Sequence, residues 1–252
     1  MRIPKIPGMR RLATIVAGAA LAVLAAAPVA TAGPSDGEPA GSGPGTVTPR
    51  IIDGGLATNA PWAARLFVNG QQNCTATIIA PTYILTAKHC VSSSGTYSFR
   101  IGSLDQTSGG TVANGTTITR HSRADIAIVR LDRSVSATYS PLGTSSNVAV
   151  GQTVQVYGWG ATCTGQPEIN CQSRYLKYAN VRVTSVSCSD YTGGIAVCAS
   201  RINGITAGGD SGGPMFASGR QVGVASTSDR ATRTAYTNIT RYRSWIQSVA
   251  GV

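Results

Sequence analysis

The chain is 252 residues long, with 42% hydrophobic and 12% charged residues and a formal net charge of +11. The charged fraction is about half the ~25% usual in globular domains, and hydrophobicity at this level excludes a disordered or tail-dominated chain. Thirty glycines without a fixed period, and little sustained helical periodicity, exclude a collagen-like fibre and an all-helical bundle; a length near 250 suits one large β domain or two small ones.

The chain opens on Arg2, Lys5, Arg10 and Arg11, runs without charge from Leu12 to Ala30, and then offers Ala30-Thr31-Ala32 as a small-x-small cleavage site. This pattern predicts a secretory signal peptide over residues 1–32. A membrane anchor is the competing reading, but the run is dominated by Ala and meets its cleavage site at once. Arg10-Arg11 is a poor match to a twin-arginine signal, which leaves the export route open. Residues 33–50 are rich in Gly and Pro with no period and are expected to be disordered, ending at Arg50 just before Ile51-Ile52. A processing site after Arg50 and an unprocessed linker are equally compatible with these residues.

From there the apolar runs are short, alternating or β-branched: 62–69, 73–80, 82–87, 96–101, 111–119, 124–131, 153–159, 174–184, 213–217, 220–227 and 232–239. So many short strands between Gly, Asn, Ser and Pro predict an all-β sandwich or barrels. They fall into two groups about Ser140-Pro141, suiting two barrels, about 62–140 and about 141–238. Ile239, Tyr242, Trp245, Ile246 and Val249 share one helical face, predicting a C-terminal helix over about 239–249 with Asn238 as its cap.

Six cysteines in an exported chain form a disulfide framework with fifteen possible connectivities. Proximity favours Cys74–Cys90, Cys163–Cys171 and Cys188–Cys198, each stapling a local loop and contributing roughly 2–4 kcal/mol. No Cys-x-x-Cys pair exists and the only histidines are His89 and His121, so a zinc site is not expected; no Asp/Glu cluster points to calcium. No metal and no cofactor are expected. Without residues 1–50 the chain keeps 16 basic and 8 acidic residues, or +8. The arginines are scattered and not interleaved with aromatics, so the charge reads as solubility and surface adsorption and no nucleic-acid partner is expected.

The chemistry concentrates in three segments. In Gly208-Gly209-Asp210-Ser211-Gly212-Gly213-Pro214, glycines allow close approach of a substrate backbone to Ser211, and the loop can aim consecutive N–H groups inward. A Ser hydroxyl needs a base, and His89 in Thr86-Ala87-Lys88-His89-Cys90 sits beside a cysteine that can anchor it. A base needs an orienting carboxylate, and Asp125 heads the apolar run Ile126-Ala127-Ile128-Val129, where a buried carboxylate needs a partner. Each alone is usually a turn, a structural histidine or a cap; together they form a nucleophile, a base and an orienting acid.

With these segments, and with Ile51-Ile52-Asp53-Gly54, Tyr157-Gly158-Trp159-Gly160 and the terminal Trp245-Ile246, the chain resembles a secreted chymotrypsin-fold (trypsin-like, S1-type) serine protease over essentially all of 51–252. The resemblance implies two six-stranded antiparallel β-barrels with the site between them. It implies Ser211 as nucleophile, His89 as base, Asp125 as its orienting partner, and the Gly209 and Ser211 N–H groups as oxyanion donors worth roughly 3–4 kcal/mol each. Cys74–Cys90 and Cys188–Cys198 match disulfides of that family. Cleavage after Arg50 would free the Ile51 amine to pair with Asp210, making the protein a zymogen. The implied product is a secreted, monomeric endopeptidase acting on protein or peptide substrates, with no membrane attachment once mature.

The sequence departs from the pattern at the pocket. Relatives that cut after Lys or Arg carry an Asp six residues before the nucleophile, where this chain has Ile205, so no preference for a cationic P1 side chain is expected. Thr206 beside it is small and neutral. Ser226, Thr227, Ser228 and the region of Thr234 are expected as pocket walls, with Ser228 and Thr234 standing where Gly is usual and making the pocket shallow. Small or modest apolar P1 residues follow. Ala207 replaces a bridging cysteine, and Asp53 replaces a glycine at a position that tolerates it if φ is positive. His121 is expected to be a plain surface or loop residue. Two other classes remain as rivals: a catalytically silent binding protein on the same fold, and an adhesion module resting on the positive charge.

Overall fold

The computed structural model describes residues 52–163 and 165–252. The leader predicted over 1–32, the segment 33–50, Arg50 and Ile51 lie outside the described residues. After a two-residue strand β1 (Gly55–Leu56), the strands β2 (Ala63–Val68), β3 (Gln71–Ala80), β4 (Tyr83–Thr86), β5 (Tyr97–Ile101), β6 (Thr111–Arg120) and β7 (Ala127–Leu131) close into a first barrel in the order β2-β3-β4-β7-β6-β5. The second barrel comprises β8 (Thr153–Gly158), β9 (Lys177–Ser189), β10 (Ile195–Arg201), β11 (Pro214–Ala217), β12 (Arg220–Ser228) and β13 (Arg233–Asn238). Its order is β9-β10-β13-β12-β11-β8, and pairing of β8 with β9 closes it while β1 adds to the edge of β9. Two six-stranded antiparallel barrels are therefore the fold.

Period-two patterning places the strands. In β5 the buried positions alternate as Tyr97, Phe99 and Ile101, and in β8 as Val154, Val156 and Gly158, so each strand turns one face inward. Leu66, Ile78, Ile84, Leu85, Phe99 and Val129 fill the first barrel; Val154, Val181, Val197, Met215 and Val222 fill the second. Burying each such side chain stabilises the fold by about 1.5–3 kcal/mol. A third, smaller cluster gathers Ala57, Ala60 and Ala63 around Trp159 and Leu176.

Three features differ from the sequence reading. Strand β10 was not expected, because Cys188–Cys198 reads from spacing as a closed loop; in fact Cys188 lies on β9 and Cys198 on β10, and the bridge staples neighbouring strands. Strand β7 begins at Ala127, so Asp125 sits in the loop before it rather than at its head. The C-terminal segment divides into a 3₁₀ turn, Ile239–Arg241, and a helix α1, Arg243–Ala250. Asn238 caps the turn by accepting from the Thr240 N–H, whereas Tyr242, without a side-chain cap, precedes α1. The helix ends at Gly251 in the left-handed conformation, φ 76°. Ile239 and Ile246 pack into the first barrel's core, so the segment after the last strand of the second barrel is buried against the first.

A buried polar seam also joins the barrels. Thr77 Oγ1 and Ser140 Oγ both donate to Gln221 Oε1, at 3.0 and 2.6 Å. The Thr75 N–H, from β3, donates to the Ser211 carbonyl at 2.9 Å. The candidate site is built along this seam.

Candidate active site

His89 opens a 3₁₀ turn, His89–Val91, three residues beyond the end of β4. The next residue, Cys90, is bonded to Cys74 on β3, so the turn is tied to the barrel wall. The ring is half-buried, and its Nδ1 lies 2.7 Å from Asp125 Oδ2, while the His89 backbone N–H donates to Oδ1 at 3.0 Å. A carboxylate only accepts, so the proton of a neutral ring sits on Nδ1 and leaves Nε2 as the basic nitrogen. Asp125 is fully buried, and Ser226 Oγ donates to its Oδ2 at 2.6 Å.

The loop delivering Asp125 is held from two sides. His121 Nδ1 accepts from the Ala124 and Arg123 N–H groups at 2.9 and 3.2 Å, and its ring packs against Tyr242 and Trp245. Burial, then the nearby Lys88 charge, lower its pKa and favour the neutral acceptor. On the other side Asp190 Oδ2 accepts from the Asp125 N–H and from Thr237 Oγ1, both at 2.8 Å. Burial would raise the Asp190 pKa, but these donors with the Gly194 and Thr192 N–H groups bring it below its ordinary value. Neither His121 nor Asp190 was assigned such a role from sequence.

Ser211 lies on the turn before β11. Four consecutive carbonyls of that turn are held: Gly208 O by the Ala161 N–H at 2.8 Å, Asp210 O by the Gly213 N–H at 2.9 Å, and Ser211 O by the Thr75 N–H at 2.9 Å. Gly209 O accepts from Thr75 Oγ1 at 2.8 Å and from Arg65 Nη1 at 3.2 Å. In a trans peptide the N–H points opposite its carbonyl. With the carbonyls engaged inward, the Gly209 and Ser211 N–H groups find no acceptor among the described residues. This is the arrangement an oxyanion site requires. Gly212 adopts φ 80°, and a Cβ there would fall 2.2 Å from Thr86 Oγ1, so this turn admits only glycine.

His89 and Ser211 line one cavity of about 310 Å³, but no hydrogen bond joins Ser211 Oγ to His89. Such bonds are often open without substrate. Thr206, Ser226, Thr227 and Ser228 line the same cavity, as the sequence suggested. Ile205 and Thr234 do not. Ile205 is fully buried, and Thr234 borders a different cavity behind Thr227 and Ser228. Thr206 Oγ1 and Thr234 Oγ1 lie 2.7 Å apart, with Thr206 in the lining and Thr234 behind it.

Tyr191 and Arg230, both at this cavity, are among the lining residues that the sequence reading does not single out. Tyr191 sets its ring 5.9 Å from that of His89. Arg230 joins the lining and pairs with Glu168, whose Oε2 accepts from Arg230 Nη2 and from the Gly208 N–H, each at 3.0 Å. Both contacts span many residues, and neither side chain belongs to a recognisable motif.

Asp210 is fully buried beneath the turn, and accepts from the Gly160 N–H at 2.7 Å and the Ala207 N–H at 2.9 Å. Burial pushes its pKa up to about 6 against the pull of those donors and of Lys177 and Arg65. A Cβ on Gly160 would meet Asp210 Oδ2 at 2.2 Å, so Gly160 is required for the carboxylate to fit. Asp53 stands at φ 67° and pairs with Arg201, consistent with an Asp replacing Gly there.

Three disulfides join Cys74 to Cys90, Cys163 to Cys171 and Cys188 to Cys198. The metal-type cluster found among the described residues, Cys74, His89 and Cys90, has both sulfurs committed to a disulfide. No helix among the described residues is long and apolar enough to cross a membrane.

The family model for Trypsin matches residues 53–246. Trypsin alpha of Drosophila melanogaster is 32% identical over 227 residues, covering 80% of this chain and 88% of the relative. Trypsin alpha-4 of Lucilia cuprina is 32% identical over 225 residues with the same shares. Among solved structures, neuropsin, a serine protease of mouse brain, matches with a TM-score of 0.67 and 27% identity over 79% of this chain and 99% of its own. Human heparin binding protein matches with a TM-score of 0.68 and 24% identity over 80% and 97%, a likeness of fold.

Proposed function

The chain belongs to the trypsin family of serine peptidases, and from that premise we propose that it is a secreted, monomeric endopeptidase working through Ser211, His89 and Asp125. The observation that carries this reading is the contact of His89 with a fully buried Asp125 at 2.7 Å, on the wall of the cavity that Ser211 shares. Ser211 Oγ attacks the scissile carbonyl while His89 Nε2 takes its proton. The carbonyl oxygen becomes an oxyanion between the Gly209 and Ser211 N–H groups. Collapse breaks the peptide C–N bond, and His89 returns the proton to the departing amine, leaving an acyl-enzyme on Ser211. Water, activated by His89, then releases the acid. Asp125 holds the ring's tautomer and stabilises the imidazolium.

The leader over 1–32 and the segment to Arg50 fit export followed by cleavage, which would give Ile51 as the mature N-terminus and its amine as partner for Asp210. A carboxylate as buried as Asp210 is suited to such a partner. Arg50 and Ile51 lie outside the described residues, so this step rests on the sequence and on the Asp210 environment.

The cavity suits a short, uncharged P1 side chain. Thr206, Ser226, Thr227 and Ser228 line it without a carboxylate, and Arg230 adds a cation to the lining, so nothing there pairs with a Lys or Arg side chain. The test is digestion of a mixed peptide library by protein beginning at Ile51, with Ser211→Ala as control. Cleavage after small residues that disappears in the control supports the reading. Preferred cleavage after Arg or Lys would refute the P1 assignment, and undiminished cleavage by Ser211→Ala would refute the mechanism.

A further inference from the structure

Arg65, on β2, is buried to 0% exposure, a rare site for a guanidinium. No catalytic step above uses it. Its Nε donates to Gln106 Oε1 at 2.9 Å, its Nη1 to the Gly209 carbonyl at 3.2 Å, and its Nη2 to Gln172 Oε1. Gln106 is itself buried, with its amide donating to Gln72 Oε1 and the Ser173 carbonyl at 2.9 Å each. The guanidinium is therefore fixed on both flanks before it reaches Gly209. Its carbon lies 6.0 Å from the Trp159 ring centroid, and its charge acts on Asp210.

Among the donors that hold the four carbonyls from Gly208 to Ser211, Arg65 is the one cation. Charge-assisted hydrogen bonds are about twice as strong as neutral ones, and stronger still away from water. Burying the cation is costly without partners, so its neighbours must compensate it. Holding Gly209 O turned inward fixes the peptide plane between Gly209 and Asp210, and with it the placement of the flanking Gly209 and Ser211 N–H groups.

We infer that Arg65 is a positioning residue for the oxyanion turn: an internal cation, clamped by Gln106 and Gln172, that presets the N–H donors from beneath. This rests on the reading of Gly209 and Ser211 as oxyanion donors. It adds a second electrostatic support beside the Ile51 amine, reaching the turn from the first barrel.

Arg65→Met and Arg65→Lys test it in protein beginning at Ile51, with a small-P1 chromogenic peptide and active-site titration to count functional sites. Arg65→Met is expected to lower kcat per titrated site about 10- to 100-fold, part of the 10²–10³ seen when an oxyanion donor is lost, with KM within about twofold. Arg65→Lys, keeping the charge, should retain more of kcat. A kcat per site for Arg65→Met within twofold of wild type would overturn the inference and leave the protease reading intact. If Arg65→Met does not fold, Gln106→Met loosens the clamp and should lower kcat in the same direction by a smaller factor; no change would overturn the inference. If the wild type cleaves nothing, the protease reading fails, and amide exchange reads the positioning by itself. Arg65→Met should then speed exchange at the Asp210 and Gly213 N–H groups at least tenfold, but not at Gly212, which bonds Ala225 O; equal rates at all three would overturn it.

Discussion

Asp125 and Asp210 are both fully buried, and they are built in opposite ways. Asp125 receives the His89 N–H, the His89 ring and the Ser226 hydroxyl, a complete set of partners supplied by the fold. Asp210 receives two backbone N–H groups, from Gly160 and Ala207, while its cations Lys177 and Arg65 act on it electrostatically. Burial raises its carboxyl to about 6 against the pull of these partners. The difference separates a carboxylate with a full set of side-chain and backbone donors from one whose charge is opposed by burial. The first suits orientation of a base, the second an activation step.

The largest test of this contrast is Asp125→Asn. An amide in place of the carboxylate favours the wrong ring tautomer, and kcat should fall by about 10⁴ with KM little changed. Stopped assays on a small-P1 peptide check this; a loss below tenfold would break the assignment of Asp125 as the orienting group.

The second test uses pH. A carboxyl raised from 3.8 to about 6 on folding favours the protonated folded state. Its contribution is fully present below about pH 4 and is lost as pH rises through 6, a cost of about 3 kcal/mol for two pKa units. In the unprocessed chain carrying Arg50→Gln, the difference in unfolding free energy between Asp210→Asn and its parent should therefore grow in favour of Asn between pH 4 and 7. In protein starting at Ile51 that growth should shrink. Urea unfolding at each pH measures both, and identical pH curves in the two forms would contradict a role for the Ile51 amine.

Ser226→Ala is the smallest of the three. It removes one of three donors to Asp125 while leaving the His89 contacts, so kcat should fall only about tenfold, the scale of one hydrogen bond to a charged group. A loss comparable to that of Asp125→Asn would mean that Ser226, not His89, governs the carboxylate.

The contrast also explains what the sequence could disclose. His89, Asp125 and Ser211 lie in short motifs whose residue types are dictated by chemistry, and their neighbours Cys90 and Gly212 are dictated by local geometry, so they were legible. Strand counting left a sandwich or barrels open, and the two six-stranded barrels came from the resemblance that those motifs carry. Asp190, His121 and Arg65 were not legible, because each acts through contacts made only after folding. Arg65 meets Gly209 across 144 positions, and Asp190 meets Asp125 across 65. Ser226 was recognised as a pocket wall, but its bond to Asp125 spans 101 positions. Strand β10 was hidden by its own disulfide, and Thr234 was placed in the pocket because a sequence position cannot show which side of a hydroxyl pair faces the cavity.

The proposed mechanism stands on Ser211 as a nucleophile activated by His89 and Asp125. The most direct measurement is intact-mass and peptide-level mass spectrometry after treating protein that begins at Ile51 with a fluorophosphonate, alongside Ser211→Ala and Asp125→Asn. One adduct per molecule is expected, located on Ser211, absent from Ser211→Ala and formed far more slowly in Asp125→Asn. No adduct on correctly processed protein, or labelling that persists in Ser211→Ala, would contradict it.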